Sequence, residues 1–234
     1  MSGNQLLAIM AASDAERLKT HLDVVTLEQG QILFHADQPI SHVYFPIEGV
    51  VSLQVLGSDG TVVEAATIGN EGIVGLGGLL ANDVSFTRQK VQLPGSAARI
   101  PREAFLGAVG KSASLRGLLA SHADAFAAQV LQTSACNAQH STEERMARWL
   151  LMAFDRCGTD RINLTHDDLA IAFGVRRPTV TLVVRSLQAA DILETTRGTI
   201  TVVDRAGLKQ IACECYDVTR KNYRRVFSHH REKG

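Results

Sequence analysis

The chain has 234 residues, of which 45% are hydrophobic and 21% charged, so it has the composition of a globular protein and not of a disordered one. No apolar run approaches the roughly 20 residues that a membrane span needs, and the N-terminal residues lack the basic region and cleavage site of a signal peptide. A cytoplasmic protein that does not enter a membrane is therefore expected. The 24 Lys and Arg balance 24 Asp and Glu overall.

The charge is divided unevenly along the chain. Residues 1–140 carry 8 Lys and Arg against 12 Asp and Glu, a net charge of −4, whereas residues 141–234 carry 16 against 12, a net charge of +4. The C-terminal part is thus the part that favours a polyanionic partner.

The first hundred residues predict one short helix and then many strands. An amphipathic pattern covers residues 4–20, and short β-branched or alternating runs follow from about 22 to 101. Turn signals at Gly30, Gly49, 58–60, 69–70 and 94–95 separate these runs at nearly regular intervals. The pattern predicts an antiparallel jelly roll, sandwich or barrel, assigned to a domain over residues 1–110.

A long helix is predicted over residues 112–138. Its apolar positions alternate in steps of three and four, as in a coiled coil, although a single buried helix shows the same stripe. Because the helix follows an all-β domain, we assign residues 111–140 to subunit dimerisation. The residues expected at the dimer contact are Leu115, Leu119, His122, Phe126 and Val130.

The third predicted domain, residues 141–234, contains the pattern of a helix-turn-helix. A docked amphipathic helix over 142–156 precedes the segment "LTHDDLAIAFGVRRPTVTLVVRSLQAADILE". Thr165 suits an N-cap with Asp168 three residues later, and Gly174 suits the corner between two helices. Pro178 suits the first turn of the second helix, where its missing N–H costs nothing.

The second helix of such a unit enters the DNA major groove, and its N-terminal residues meet the base edges. An arginine pair at a helix N-terminus is unfavourable for the helix dipole, which is understandable if the guanidinium groups bind DNA. The following "ILETTRGTITVVD" predicts a wing hairpin. A solvated helix beside an ordinary hairpin is the simpler alternative. The expected DNA contacts are Arg176, Arg177, Thr179, Thr181, Arg185 and Arg197, with Arg177 and Thr181 on bases.

On these residues the chain resembles the Crp/Fnr superfamily of bacterial transcription regulators over about residues 20–225. The helix-turn-helix segment carries the resemblance most strongly, and "GNEGIVGLGGLL" and "IEGVVSLQV" resemble parts of the cyclic-nucleotide-binding domain. The resemblance implies an α+β fold: an eight-stranded N-terminal jelly roll, a long dimerisation helix and a C-terminal winged helix-turn-helix. It also implies a homodimer that binds double-stranded DNA at a near-palindromic operator, with RNA polymerase as a further partner.

Departures from the family pattern concern the effector and the operator. The glutamate of the cyclic-AMP cassette is replaced by Leu76, and Arg88 aligns poorly with the phosphate-binding arginine. The usual cyclic-AMP response is therefore expected to be absent, and an unidentified small molecule would bind near Gly75, Leu76, Gly77 and Arg88. In the recognition helix, Pro178 and Leu182 replace a glutamate and an arginine that many relatives have, so the target half-site should differ.

No cofactor is assigned with assurance. No cysteine precedes Cys136, which excludes the N-terminal iron–sulfur cluster of some relatives, and no histidine spacing singles out a haem ligand at His21, His35 or His42. A cupin-like metal enzyme and a cyclic-nucleotide-binding regulatory module are the alternatives, but His-x-His, G-x-S-x-G and P-loop motifs are absent from the sequence. The sequence does not indicate an enzyme.

Four cysteines occur without a CxxC spacing, so no disulfide framework is expected. Cys213 and Cys215 are two residues apart, and on a helix such neighbours point to different faces, which makes a shared metal ion unfavourable. No metal site is predicted, and the cysteines are interpreted as buried or idle thiols. A redox or metal role is the alternative, with Cys213 and Cys215 as the residues considered for redox chemistry.

Overall fold

The computed structural model describes residues 3–76 and 83–231. The strands are β1 Asp23–Leu27, β2 Ile32–Phe34, β3 His42–Leu56, β4 Val62–Ile68, β5 Arg88–Pro101, β6 Arg161–Asn163, β7 Leu193–Thr196 and β8 Thr199–Val202. The helices are α1 Gln5–Ala8, α2 Ala12–Lys19, α3 Arg102–Lys111, α4 Ala113–Gln139, α5 Thr142–Cys157, α6 His166–Phe173, α7 Arg177–Ala189, α8 Arg205–Ile211 and α9 Cys215–Arg231.

The N-terminal domain is built on an antiparallel sheet, as its alternating runs predict. Its strand order is β1-β5-β3-β4, and β2 also pairs with β5. The described part has five strands where the family resemblance implies eight. One reason is that residues 47–55, the "IEGVVSLQV" segment of the family resemblance, lie inside the continuous 15-residue strand β3 and do not form a separate pair of strands.

The long strands β3 and β5 bend together at a pair of glycines. Gly49 has a φ of +93°, and a Cβ atom there would lie 2.7 Å from the carbonyl oxygen of Leu93. A Cβ atom on Gly95 would lie 2.3 Å from the carbonyl oxygen of Glu48. Only glycine permits this close approach, and the β3–β5 register shifts on both sides of it.

The predicted N-terminal helix is interrupted, whereas the predicted long helix is continuous. Residues 4–20 form two short helices, α1 and α2, because Asn4 caps the first turn and the chain leaves helical geometry before α2. Helix α4 has 27 residues and begins at the N-cap Ser112. It leads directly into α5 through His140 and Ser141.

Two large hydrophobic cores and a small cluster of Cys136, Cys213 and Cys215 lie among the described residues. One lies between the sheet of the N-terminal domain, α3 and α4, and it includes Phe45, Phe105 and Leu119. The other lies under α5 and the helix-turn-helix, and it also takes in Val50 and Leu93 from strands β3 and β5. The C-terminal half therefore packs directly on the sheet of the same chain.

Among the helices of residues 3–76 and 83–231, none combines the length and the apolar character needed to cross a lipid bilayer.

Candidate DNA-binding interface

Helix α6 and its corner have the local geometry that the sequence predicts. The Thr165 hydroxyl accepts a hydrogen bond from the backbone N–H of Asp168, whose carboxylate accepts one from the N–H of Thr165, so a complete capping box starts the helix. Gly174 ends it at a φ of +62°. Leu169 and Phe173 are buried, which seats α6 on the second core.

Helix α7 presents its basic N-terminus to solvent. Arg176 is the N-cap residue, its side chain makes no capping hydrogen bond, and Pro178 occupies the first turn. Val180, Val184 and Leu187 form the buried stripe that anchors the helix. The first-turn N–H groups and the arginines thus combine into a positively charged helix end, which suits a phosphate or base-edge acceptor.

Arg177 is exposed and only loosely held. Its Nε atom lies 3.5 Å from the Oδ1 atom of Asp167, and both side chains are about two-thirds exposed. A surface ion pair of this kind contributes about 0–1 kcal/mol, so the guanidinium can exchange Asp167 for a DNA acceptor at little cost.

The other predicted contacts differ in how accessible they are. Arg185 is exposed, whereas Thr179 and Thr181 are half-buried. The Thr181 hydroxyl donates to the backbone carbonyl of Arg177 at 3.1 Å and lies 3.0 Å from His166 Nδ1. Leu182, at 67% exposure, projects further into solvent.

The wing is a tight hairpin between β7 and β8. Thr196 pairs with Thr199, which leaves Arg197 and Gly198 as the two central turn residues. Both have positive φ, +48° and +82°, as a type I′ turn requires. Arginine rarely adopts this conformation, and here the turn exposes its side chain at the tip of the wing.

The winged domain is docked on the β-domain through two buried polar contacts that the sequence did not indicate. The Trp149 Nε1–H of α5 donates to the Glu64 carboxylate of β4 at 2.8 Å. Arg156, near the end of α5, forms an ion pair with Glu71 at 2.6 Å and donates to the carbonyl of Thr67. Separate helix and strand patterns gave no signal for either contact, because each joins residues 85 or more positions apart.

The environment of Glu64 has an electrostatic consequence. Its carboxylate accepts a second hydrogen bond from the Ser52 hydroxyl at 2.6 Å. Burial raises the pKa of Glu64 to about 7, because burial outweighs the two hydrogen bonds and the attraction of Arg156 and Arg148. Glu64 therefore titrates near neutral pH at the contact between the domains.

Comparison with known proteins decides the family. The model of the cyclic nucleotide-binding domain matches residues 24–112, and that of the Crp-like helix-turn-helix domain matches residues 144–211. The transcriptional regulator SdrP of Thermus thermophilus is 24% identical over 198 residues, which are 81% of this chain and 94% of SdrP. The chain belongs to the Crp/Fnr superfamily. It is a transcriptional regulator of this type, and the family consists of regulators and not enzymes.

Solved structures share the fold. FixK2 of Bradyrhizobium japonicum has a TM-score of 0.67 at 17% identity, covering 82% of this chain and 98% of FixK2. A Crp/Fnr-family structure from Eubacterium rectale has a TM-score of 0.68 at 17% identity, covering 88% of this chain and 96% of its own. The predicted fold, an antiparallel β-domain followed by a helix-turn-helix, is confirmed.

The predicted effector region lies at the edge of the described Crp/Fnr β-domain. Gly75 has a φ of +94°, and Leu76 is buried. Arg88 donates from Nε and Nη2 to the Gln54 Oε1 atom at 2.9 and 2.7 Å, so its guanidinium is engaged by a neutral amide. Gly77 lies outside the described residues, and the effector assignment stays a prediction.

Three of the five residues of α4 that were predicted to form the dimer contact are buried in the structure. Leu115, Leu119 and His122 are at most 2% exposed, and they pack inside their own protomer. Burial lowers the pKa of His122 to about 4, which keeps its ring uncharged in this core. These three residues are therefore covered within one chain, because α9 folds back and places Tyr223 against His122. Val130 is half-buried, so its place at a dimer contact stays a prediction. Phe126 is partly buried on the same side.

Proposed function

We propose that this Crp/Fnr regulator is a homodimer that binds a near-palindromic operator through helix α7 and the wing. The observation that carries the proposal is the exposed basic N-terminus of α7 on a buried helix-turn-helix scaffold. Arg177 is assigned to a base edge, where a bidentate contact to guanine is the commonest specific arginine contact. Arg176, Arg185 and Arg197 are assigned mainly to phosphates, which position the protein on the duplex.

Two threonines support this assignment in different ways. Thr179 and Thr181 remain proposed DNA contacts, but the Thr181 hydroxyl already bonds to the backbone and faces His166. We infer that Thr181 helps to hold the recognition helix and reaches DNA through its methyl group. The exposed Leu182 is available for a thymine methyl group.

The exposed face of α4 supports a dimer contact shifted by one position from the predicted stripe. Ala120, Ala123 and Ala127 are exposed, and Leu131 is 71% exposed. These four residues follow steps of three and four, and their mostly small side chains permit close helix approach. A twofold pair of α4 helices would place the two recognition helices on half-sites about one helical turn apart.

A small molecule that binds the β-domain is retained as the proposed signal, since the cyclic nucleotide-binding domain model matches there. Gly75, Leu76, Gly77 and Arg88 are the residues proposed to surround it. RNA polymerase is retained as a proposed partner. The cytoplasm is the proposed compartment, because chromosomal DNA is located there.

The operator is tested by in vitro selection from random duplexes, followed by the Arg177→Ala variant. Loss of the proposed guanine contact should weaken operator affinity by about 1–3 kcal/mol, or roughly 5- to 150-fold, and relax specificity at one position of each half-site. Arg225→Ala, an exposed arginine on α9 with the same charge change, is the matched control. Equal operator affinity of R177A and R225A would refute the assignment of Arg177.

The dimer face is tested with Leu131→Asp. Burial of a leucine contributes about 1.5–3 kcal/mol, and the twofold axis doubles the loss to about 3–6 kcal/mol, so the dimer dissociation constant should rise at least about 100-fold. Val24→Asp, at a similarly exposed valine of β1, is the control. Sedimentation equilibrium measures the constant, and an L131D protein that dimerises like V24D would exclude this face.

A further inference from the structure

Four potential metal ligands meet where the long helix joins the DNA-binding domain. A sulfur or nitrogen atom from each of Cys136, His140, Cys213 and Cys215 lies within 4.8 Å of the other three. The three cysteines are at most 6% exposed, and the His140 side chain is 14% exposed. This Cys136–His140–Cys213–Cys215 set is called the thiol–histidine cluster below.

The backbone explains why these residues converge. Cys136 lies in the last turn of α4 and His140 is its C-cap residue, so the two side chains are one turn apart. Cys215 begins α9, whereas Cys213 lies in the non-helical link after α8. The expectation that Cys213 and Cys215 point to different faces is therefore wrong, because it assumed that both cysteines lie on one helix.

The distances fit a single tetrahedral ion. The sulfur atoms of Cys136 and Cys213 are 3.5 Å apart, and the sulfur of Cys215 is 3.6 Å from His140 Nδ1. Zinc–sulfur bonds of about 2.3 Å in tetrahedral geometry place two sulfur ligands about 3.8 Å apart. A disulfide would require about 2.05 Å between the sulfurs. An iron–sulfur cluster, which places several iron atoms between its ligands, needs a wider set.

A second layer of polar groups orients the potential ligands. The Nε2 atom of His140 lies 3.3 Å from the Glu214 carboxylate, which favours the tautomer whose Nδ1 lone pair faces Cys215. This is the carboxylate–histidine arrangement that commonly supports zinc ligands. The Gln132 amide donates to the Cys215 sulfur at 3.0 Å, as it would to a thiolate.

The buried cation Arg148 lies beside the cluster, and its positive charge would be balanced by the net negative charge of a metal ion bound to thiolates. Arg148 is 5% exposed, and among the residues that the structure describes no carboxylate pairs with it. Its Nε atom has no hydrogen-bond partner there. Burial raises the pKa of the Cys136 thiol, and the charge of Arg148 acts in the opposite direction. An unpaired buried guanidinium is costly, and anionic thiolates would offset that cost.

We propose that the thiol–histidine cluster is a structural zinc site with three cysteine ligands and one histidine ligand. On binding, the three thiols release three protons, and three thiolates with Zn²⁺ carry a net charge of −1 beside Arg148. All four positions are protein ligands, so the site is closed and serves structure, not catalysis.

At this location a bound ion would hold two distant parts of the chain together. Cys136 and His140 belong to the end of α4, while Cys213 and Cys215 follow the winged helix-turn-helix and lie at the start of α9. A shared ion would therefore cross-link the α4–α5 junction to the far end of the DNA-binding domain and hold the orientation of that domain on α4.

The first test is the metal content of full-length protein purified under reducing conditions from zinc-supplemented cells. One zinc ion per protomer is expected in the wild type, with most of it lost in Cys136→Ser and Cys213→Ser. Cys157→Ser is the matched control, because Cys157 is the cysteine outside the cluster. Equal zinc in C213S, C136S and C157S would overturn the proposal, as would wild-type protein that carries no zinc.

A second measurement does not depend on the folding of the variants. Reduced wild-type protein stripped with a chelator is titrated with Co²⁺ alone and then with Zn²⁺. The proposal predicts the intense visible absorption of tetrahedral, thiolate-bound cobalt, its displacement by zinc, and a higher Tm for the zinc-loaded protein. A titration with no spectral change and no shift in Tm would overturn it.

Glu214 is assigned as a positioning residue for His140. Glu214→Gln should keep the zinc stoichiometry at saturation and the tetrahedral cobalt spectrum, yet weaken zinc affinity about 10- to 100-fold in a chelator competition. Asp217→Asn, at another exposed acidic residue of the same segment, is the control. Equal zinc affinity of E214Q and D217N would show that the Glu214 carboxylate does not position His140.

Discussion

Replacing Arg156 with methionine is expected to lower the free energy of unfolding by about 3–5 kcal/mol. Arg156 and Glu71 are both buried, and their ion pair joins α5 to the turn after β4. Burial by itself would lower the pKa of Arg156, but the charge and hydrogen bonds of Glu71 overcome it and raise the pKa. In the variant, Glu71 would remain buried without its partner.

A double variant shows how much of the lost stability comes from leaving Glu71 buried without a partner. A double variant, Arg156→Met with Glu71→Gln, should be less destabilised than Arg156→Met alone, because no unpaired buried charge remains. Urea denaturation followed by the fluorescence of Trp149, the single tryptophan of the chain, measures both. If R156M were as stable as the wild type, the pair would not hold the domains together.

The second large effect concerns pH. The folded protein holds the proton of Glu64 up to a pKa of about 7, whereas the unfolded chain releases it near 4.5. The contribution of Glu64 to stability is thus complete below about pH 4.5 and is lost as the pH rises through 7, a total of about 3 kcal/mol. Above pH 7 the folded protein must keep a buried carboxylate ionised.

Glu64→Gln tests this directly, because the amide retains the shape and an oxygen that can accept from Trp149. Relative to that of the wild type, the free energy of unfolding of the variant should increase by about 3 kcal/mol as the pH rises from about 4.5 to 8. Urea denaturation at several pH values measures this difference. Glu194→Gln, at an exposed position of β7, is the control and should not follow this course. A difference between E64Q and wild type that is the same at every pH would contradict the raised pKa.

The helix-turn-helix could be predicted from the sequence because its signals are local. The capping box at Thr165, the glycine corner, Pro178 and the two-residue wing turn each depend on residues within a few positions of one another. Such short-range preferences act on the backbone before any tertiary contact forms, so the structure contains all four where the sequence placed them.

The long helix shows the limit of periodicity. The pattern predicted α4 and its apolar stripe, but a stripe does not state which surface covers it. Helix α9 and the β-domain cover Leu115, Leu119 and His122 in the same chain, so the exposed stripe is the neighbouring one that ends at Leu131.

By itself, the sequence determined the class of domains, the recognition helix and the wing, since short-range capping, turn and alternation rules govern them. The tertiary structure alone decided which face of α4 is open, how Glu64 and Arg156 join the two domains, and that Cys136 and His140 meet Cys213 and Cys215. Those contacts join residues 73 or more positions apart, so they arise when helices and sheet pack together, and no local preference encodes them.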